Sequence, residues 1–194
     1  PNFFKNMCIY SITKLDFEQN VQDYLSYDFL VKEFIPQILF CILIEDFCFY
    51  CSHYILHKDF LYKHIHKQHH EYKSTVTWAS EYAHPIEFLL GNILPLMVGP
   101  FILNKRMRLV TNTFFIVTRI IKTSEAHSGI KIRYSIFKFF PFASTSEMHN
   151  YHHYKFKGNY GSFMTNCDFL FGTFNKLYVE HFITPDAKSN KELK

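Results

Sequence analysis

Residues 88–104 read FLLGNILPLMVGPFILN, an uncharged run of 17 residues that sets the expected fold. A helix that crosses a bilayer needs about 20 predominantly apolar residues, with roughly 17 as the lower limit. Gly91 and Pro95 interrupt the run, and basic residues follow it within four positions, as they do at the ends of membrane segments. We therefore expect either a kinked span or a tight helical hairpin over residues 86–121 that enters the membrane and returns.

Further apolar runs lie on both sides of this stretch. Residues 34–44 are almost wholly apolar, the apolar character resumes after Glu45 and Asp46 as far as Cys51, and residues 109–118 form another run. Glycine (6) and proline (7) are scarce, which disfavours a turn-rich all-β fold. These features predict an all-α, integral membrane helical protein, with a buried helix pair in a soluble bundle as the alternative.

The chain has 194 residues, the usual length of one domain. We assign residues 28–183 to that domain and residues 184–194 to a charged, solvated tail. Residues 1–27 form an N-terminal segment, and the initial Pro1 in place of Met suggests that this segment is truncated. The segment carries charges without a clean apolar core, so we do not interpret it as a signal peptide.

Composition narrows the class of partner. The 21 Lys and Arg residues against 17 Asp and Glu give a net charge of +4 without a run of like charges, so we expect no nucleic-acid binding. Aromatic residues make up 19% of the chain, which favours a lipid environment or a lipid substrate. The five cysteines are expected to be small apolar residues in a reducing compartment.

Twelve histidines give the strongest chemical signal, and eight of them fall into three closely spaced sets. The sets are HYILH (His53 and His57), HKQHH (His66, His69 and His70) and HNYHH (His149, His152 and His153). Residues three and four apart share a helix face, so each HxxHH set is expected to present three imidazoles in one arc. A metal ion gives such imidazoles a reason to converge, because they would repel one another if protonated.

The first two sets reach one site only if the chain bends between them. In a straight helix, at about 100° per residue, the first set would face away from the second. We expect the break at residues 58–60, with Asp59 capping the next helix. His64 lies two residues before His66, on the far side from the second set, and we interpret it as a surface or interface histidine.

The number of box histidines exceeds the four ligands of a tetrahedral zinc site and fits two metal ions. Neutral imidazoles suit iron, zinc, copper and nickel, so spacing alone does not choose the metal. HExxH and HxxEH are absent, which gives no support for a metalloprotease, and Glu81 with His84 forms the only Glu-x-x-His pair. An all-histidine metal pair among membrane helices indicates O₂ activation against inert lipid C–H bonds.

The three boxes resemble, in order and separation, those of the fatty acid hydroxylase/sterol desaturase superfamily. LYKHIHKQHHEYKS, EYAHPIEFLLGN, EAHSG, HNYHHYKFKGNYG and DFLFGTF make the chain most similar to its 4-methylsterol monooxygenase branch, over residues 45–180. The resemblance implies a multi-pass enzyme of the endoplasmic reticulum membrane with its di-metal site on the cytosolic side. It also implies two iron ions, O₂, a sterol or other lipid substrate, and electrons from NAD(P)H that arrive through a b-type cytochrome or its reductase.

Matched residue by residue, the resemblance implies nine metal ligands: His53, His57, His66, His69, His70, His127, His149, His152 and His153. Parts of the superfamily have another histidine four residues before His127, where this chain has Thr123. His84 or water would then supply a tenth ligand. The alternative is that His84 supports a metal ligand without touching the metal, or is a structural histidine. Asp168 is a candidate for a metal contact or for orienting an imidazole N–H, with solvation as the alternative.

Other parts of the chain depart from the branch. Cys167 stands where Trp is common, residues 130–132 read IKI in place of an FPW-like run, and NYGSFMT is also similar to sterol 5-desaturases. The alternatives are therefore a sterol 5-desaturase, a fatty acid or sphingolipid hydroxylase, or a non-catalytic membrane metal-binding scaffold. The intact boxes favour an enzyme, because a scaffold has no need of open coordination positions.

Lesser features carry their own expectations. Glu125 and Glu147 are expected to be solvated, and His181 to be structural or on the surface. Aromatic side chains collect at membrane interfaces, and we expect four phenylalanines before the third box to lie there: Phe137, Phe139, Phe140 and Phe142.

Overall fold

The computed structural model describes residue 24 and residues 26–177. Helices account for the regular structure of this part, and its single bridge, between Ala143 and Met164, belongs to no strand. The predicted all-α class is therefore confirmed. His181, the tail at 184–194 and nearly all of the segment at 1–27 lie outside the described residues.

Helix α1 runs from Tyr27 to Leu56, with a π-helical turn at Leu30–Phe34. The Ser26 hydroxyl accepts a hydrogen bond of 3.2 Å from the Phe29 N–H and so caps its first turn. The helix ends because Lys58 is extended, with φ −71° and ψ 141°. This break is where the sequence predicted it.

Helix α2 follows the break and covers residues 59–66, first as an α-helical turn and then as the π-helical segment Tyr62–His66. Asp59 is the first helical residue rather than the cap. Lys58 occupies the capping position, and no side-chain hydrogen bond closes this end. The prediction that Asp59 caps the helix was therefore wrong by one residue, because the extended backbone precedes it.

Helices α3 (Pro85–Arg106) and α4 (Leu109–Ala126) form the predicted hairpin, joined by Met107 and the extended Arg108. The apolar run stays helical through Pro95 because a π-helical segment, Phe88–Ile93, precedes this proline and accommodates it. Arg108 Nε lies 3.1 Å from Glu33 Oε2, which ties the hairpin turn to the start of α1. The end of α1, the start of α3 and the end of α4 consequently meet at the opposite end of the bundle.

Helix α1 packs most extensively on α3, and a small residue permits the approach. A Cβ added to Gly99 would lie 3.0 Å from both Cα and Sγ of Cys41, so no larger side chain fits there without movement of the backbone. Both helices are long and apolar enough to cross a membrane. Only 33% of the apolar window of α1 and 22% of that of α3 is buried inside the protein.

The core lies where α1 and α4 meet the loops that flank helix α5 (Ser146–Lys155), and it contains Ile38, Cys41, Ile42, Phe115, Phe137, Phe163 and Met164. Helix α6 (Asn166–Leu170) and short 3-10 turns at His69–Glu71, Thr77–Glu81 and Ile136–Phe139 complete the fold. The four phenylalanines before the third box differ in their exposure. Phe137 is 2% exposed and packs on Phe163, whereas Phe139 is 89% exposed. The expectation that all four lie at an interface was wrong for Phe137.

Candidate metal centre

The end of the bundle opposite the hairpin turn gathers histidines into two neighbouring groups. Within each group the potential ligand atoms lie within 4.8 Å of one another. Group one contains His53, His57, His66, His70 and His152. Group two contains His69, His127, His149 and His153. The structure thus brings together all nine histidines to which the sequence assigned a metal.

Distances between the ring nitrogens match the spacing of ligands around a single ion. In group one, His57 Nε2 lies 2.9 Å from His66 Nε2, 3.1 Å from His152 Nε2 and 3.2 Å from His70 Nε2. Two nitrogens held about 2.1 Å from one ion are separated by about 3.0 Å at a right angle and about 3.4 Å at the tetrahedral angle. A neutral imidazole has one N–H, so hydrogen bonding cannot satisfy all three contacts at one nitrogen.

Group two has the same geometry with fewer members. His149 Nε2 lies 2.9 Å from His127 Nε2 and 3.2 Å from His153 Nε2, and His69 Nε2 lies 3.3 Å from His127 Nε2. These separations again correspond to nitrogens that share one ion. The donor set of imidazoles alone suits iron, zinc, copper or nickel.

Each HxxHH box is divided between the two groups, which corrects the expectation of three imidazoles in a single arc. In the third box, on α5, His149 and His153 belong to group two and His152 belongs to group one. Residues three and four after a given residue lie about 100° apart around a helix, so they diverge to neighbouring sites. The second box divides in the same way and places His69 with group two. The second and third boxes therefore each link both groups, whereas His53 and His57 of the first box belong to group one alone.

Backbone carbonyls and one carboxylate hold the outer nitrogen of several rings. The Nδ1–H groups that face carbonyls are those of His53 (Tyr160, 2.9 Å), His152 (Gly158, 2.7 Å), His127 (Thr123, 3.0 Å) and His153 (Tyr72, 3.2 Å). Such contacts place the proton on Nδ1 and leave the Nε2 lone pair free for a metal. Thr123, at the position where the resemblance led us to look for a further histidine, contributes here through its carbonyl.

Glu87 is the site residue that the sequence analysis missed. Its Oε1 lies 2.8 Å from His66 Nδ1, and both side chains are buried. A carboxylate behind a metal-binding histidine is a common arrangement that fixes the ring and raises its basicity. The available signal was a single acidic residue immediately before an uncharged apolar run of helix α3.

Burial makes the grouped histidines neutral at pH 7. Desolvation lowers the pKa of His69 to about 4. Desolvation, followed by repulsion from neighbouring imidazoles, also lowers the pKa values of His70, His127 and His149 well below the ordinary value of 6.5. Neutral rings have a lone pair available, so a metal ion does not have to displace protons from them.

Two other histidines lie outside both groups. His64 is exposed, and its Nδ1 lies 2.8 Å from the Phe60 carbonyl, as expected for a surface histidine. His84 accepts a hydrogen bond of 3.2 Å from the Ile86 N–H through Nδ1 and caps the first turn of α3. Among the described residues, the structure therefore gives His84 a structural role and leaves group two without a tenth histidine.

Asp168 is fully buried, and its hydrogen bonds within the described part of the chain join it to a loop rather than to a histidine. It accepts hydrogen bonds of 2.8 Å from the Tyr160 N–H and 2.9 Å from the Gly161 N–H. Tyr160 in turn offers its carbonyl to His53. Asp168 thus fixes the loop that orients the ring, which is neither the direct contact nor the solvation that the sequence suggested.

Glu125 and Glu147 also lie outside both groups. Glu125 accepts a hydrogen bond of 2.7 Å from the Ser135 hydroxyl, and Glu147 accepts one of 3.3 Å from the Ser146 hydroxyl. Both carboxylates therefore accept hydrogen bonds from nearby serine side chains, which the expectation of solvation did not include.

A cavity of about 40 Å³ borders both histidine groups. Its walls come from α1, α3, α4, α5 and the loop before α6, and they include Phe49, Leu56, Gly91, Asn92, Arg119, Lys122, Thr123, His53, His66, His69, His127 and His149. The volume admits a few water-sized groups. A small reactant or one edge of a larger molecule therefore fits beside the imidazoles.

Comparison with known proteins bears on this site. A family model described as fatty acid hydroxylase matches residues 38–173. The chain is 41% identical over 145 residues to methylsterol monooxygenase 2-2 of Arabidopsis thaliana, covering 73% of this chain and 53% of the relative. It is 42% identical over 142 residues to a very-long-chain aldehyde decarbonylase of Oryza sativa subsp. indica, covering 72% and 52%. The chain spans about half the length of these curated relatives, and no solved structure gives a significant match.

Proposed function

The chain belongs to the fatty acid hydroxylase family, and we propose that it is a membrane-bound di-iron oxygenase that oxidises a C–H bond of a sterol, as a 4-methylsterol monooxygenase. The observation that carries the proposal is the division of nine histidines, eight of them buried, into two metal-sized groups. A scaffold would need one closed site for stability, and two adjacent groups beside a cavity are the arrangement expected of a catalytic pair.

The proposed ligands are the five histidines of group one and the four of group two. Iron, when bound there, would supply the reduction of O₂ and the cleavage of an inert C–H bond. The protein's own groups hold the rings in one tautomer through the carbonyls of Tyr160, Gly158 and Thr123. The buried setting excludes bulk water from the reacting atoms.

A lipid substrate is supported by the apolar walls of the cavity, which include Phe49 and Leu56. The choice of a sterol rests on the methylsterol monooxygenases among the relatives, at about 40% identity. Relatives named very-long-chain aldehyde decarbonylases are equally similar, so a long-chain aldehyde is the second candidate.

Membrane insertion is supported by the outward apolar surfaces of α1 and α3, the two helices among the described residues that are long and apolar enough to cross a bilayer. We place the protein in the endoplasmic reticulum membrane as a multi-pass protein, with the histidine end in the cytosol. Lys58, Lys63 and Lys67 are exposed at that end, where they could attract an acidic electron donor. The proposed donor is a b-type cytochrome or its reductase, with NAD(P)H as the electron source.

Substrate conversion tests this proposal. Microsomes that contain the full chain should convert a 4,4-dimethylsterol to a product oxidised at a 4-methyl group, and only with O₂ and NAD(P)H. A His152→Ala variant serves as the matched inactive control. A new ring double bond with intact methyl groups would establish a desaturase, and turnover of only a long-chain aldehyde would establish the second candidate. A metal-loaded protein that converts none of these would support the scaffold.

A further inference from the structure

Helix α4 turns a polar stripe toward the cavity. Arg119, Lys122, Thr123, Ala126 and His127 recur at helical spacing, and all five line the cavity wall. Charged side chains on an inward helix face are costly inside an apolar bundle, which makes them candidates for function.

The two cationic side chains of this stripe, Arg119 and Lys122, differ in their hydrogen-bond partners. Arg119 Nε lies 2.5 Å from Glu45 Oε1, which neutralises the guanidinium with a buried carboxylate. Lys122 is 1% exposed, and within the described part of the chain its ammonium donates a hydrogen bond of 2.6 Å to the Ser144 carbonyl. An ammonium has three N–H donors, and a neutral carbonyl satisfies only one of them. The Lys122 Nζ also lies 5.3 Å from the centre of the Phe137 ring, and its two other N–H groups have no hydrogen-bond partner among the described residues. Lys122 is one of the residues that line the cavity.

We propose that Lys122 binds the hydroxyl oxygen of the substrate next to the carbon that is oxidised, and so selects 3-hydroxysterols. The inference rests on the proposed function. In a 4-methylsterol the 3-hydroxyl and the reacting methyl group stand on adjacent ring carbons, so both must enter the same small space.

The dimensions of the site fit this assignment. Lys122 precedes the group-two histidine His127 by five residues, which is about 7.5 Å along the helix axis. A methyl group beside the histidines then leaves its neighbouring hydroxyl on the side of Lys122. The cavity of about 40 Å³ has room for the hydroxyl and the reacting methyl group, and its apolar wall includes Phe49 and Leu56.

The test compares two sterols with and without the lysine. Equilibrium binding of radiolabelled 4,4-dimethylcholestanol and its 3-deoxy analogue is measured on the full chain in nanodiscs, without reductant. The unmodified chain should bind the hydroxysterol about 10- to 100-fold more tightly, the range expected for a hydrogen bond from a charged donor. In Lys122→Met the two affinities should become nearly equal. Lys105→Met, an exposed lysine at the far end of the bundle, should keep the preference.

Folding is controlled separately. Metal content and melting temperature are measured for Lys122→Met, and Lys122→Arg, which keeps the charge, should retain a preference of several fold. If Lys122→Met folds, binds both sterols and keeps the full preference for the hydroxyl, the role of Lys122 is wrong while the proposed function stands. Failure of the unmodified chain to bind either sterol would instead remove the proposed function, and this inference with it.

Discussion

At the scale of the residue, Glu87 has the most informative contact in the molecule, 2.8 Å between its Oε1 and His66 Nδ1. The carboxylate is buried on α3, whereas the ring belongs to α2. It therefore joins the apolar hairpin to metal group one, and it would hold the His66 ring as the ion binds.

Replacing Glu87 should weaken metal binding at group one. For Glu87→Ala we expect a loss of affinity of roughly 10- to 100-fold for one of two ions, since contacts behind a metal ligand typically contribute that much. Glu87→Gln should lose less, because its amide oxygen can still accept the Nδ1–H. Competition titrations with a chromophoric chelator measure both. Glu33→Ala, which contacts Arg108 and no histidine, is the control. Equal affinities in Glu87→Ala and the control would show that the contact has no role.

The division of each HxxHH box between groups leads to a second prediction. His69→Ala should lose the ion of group two although its neighbour His70 belongs to group one, and His152→Ala should lose the ion of group one. Each variant should therefore retain one metal ion per chain, measured by elemental analysis. His64→Ala, an exposed histidine, should retain both. Loss of metal from His64→Ala with normal folding would overturn the assignment of groups.

At the scale of the element, periodicity predicted the helices and the break before α2. Apolar runs marked α1, α3 and α4, and the change of face between the first two boxes required the bend that occurs at Lys58. Sequence could not supply the contacts between distant segments. The carbonyls of Tyr160 and Gly158 reach His53 and His152 only because the loop before α6 folds back on Asp168, a tertiary arrangement that no local pattern encodes.

The packing of α1 on α3 provides a matched test. Gly99→Ala should destabilise the fold by about 1–3 kcal/mol, because its Cβ would press on the Cys41 backbone at 3.0 Å. Gly91→Ala has an ordinary contact of 3.4 Å with Leu56 Cδ1, so it should be neutral or gain up to about 1 kcal/mol of helix propensity. Thermal unfolding in detergent micelles compares the two. Similar melting temperatures for both variants would contradict the close approach of the helices.

At the scale of the whole molecule, three helix ends converge at one end of the bundle. The end of α1, the start of α3 and the end of α4 bring His57, Glu87 and His127 to the same region, while α5 supplies the third box. The polar ends of apolar helices thus build the metal centre, and the cavity extends from it into the bundle. The sequence indicated the histidines, but the partition into groups of five and four required the three-dimensional arrangement.

The number of metal ions per chain tests the central claim most directly. The full chain, purified in detergent after expression with supplemented iron and dialysed against buffer, is analysed for transition metals and for protein by amino-acid analysis. The account predicts two iron ions per chain, because two separate groups of imidazoles each have the nitrogen spacing of a single site. A folded protein that holds at most one transition-metal ion per chain would contradict it.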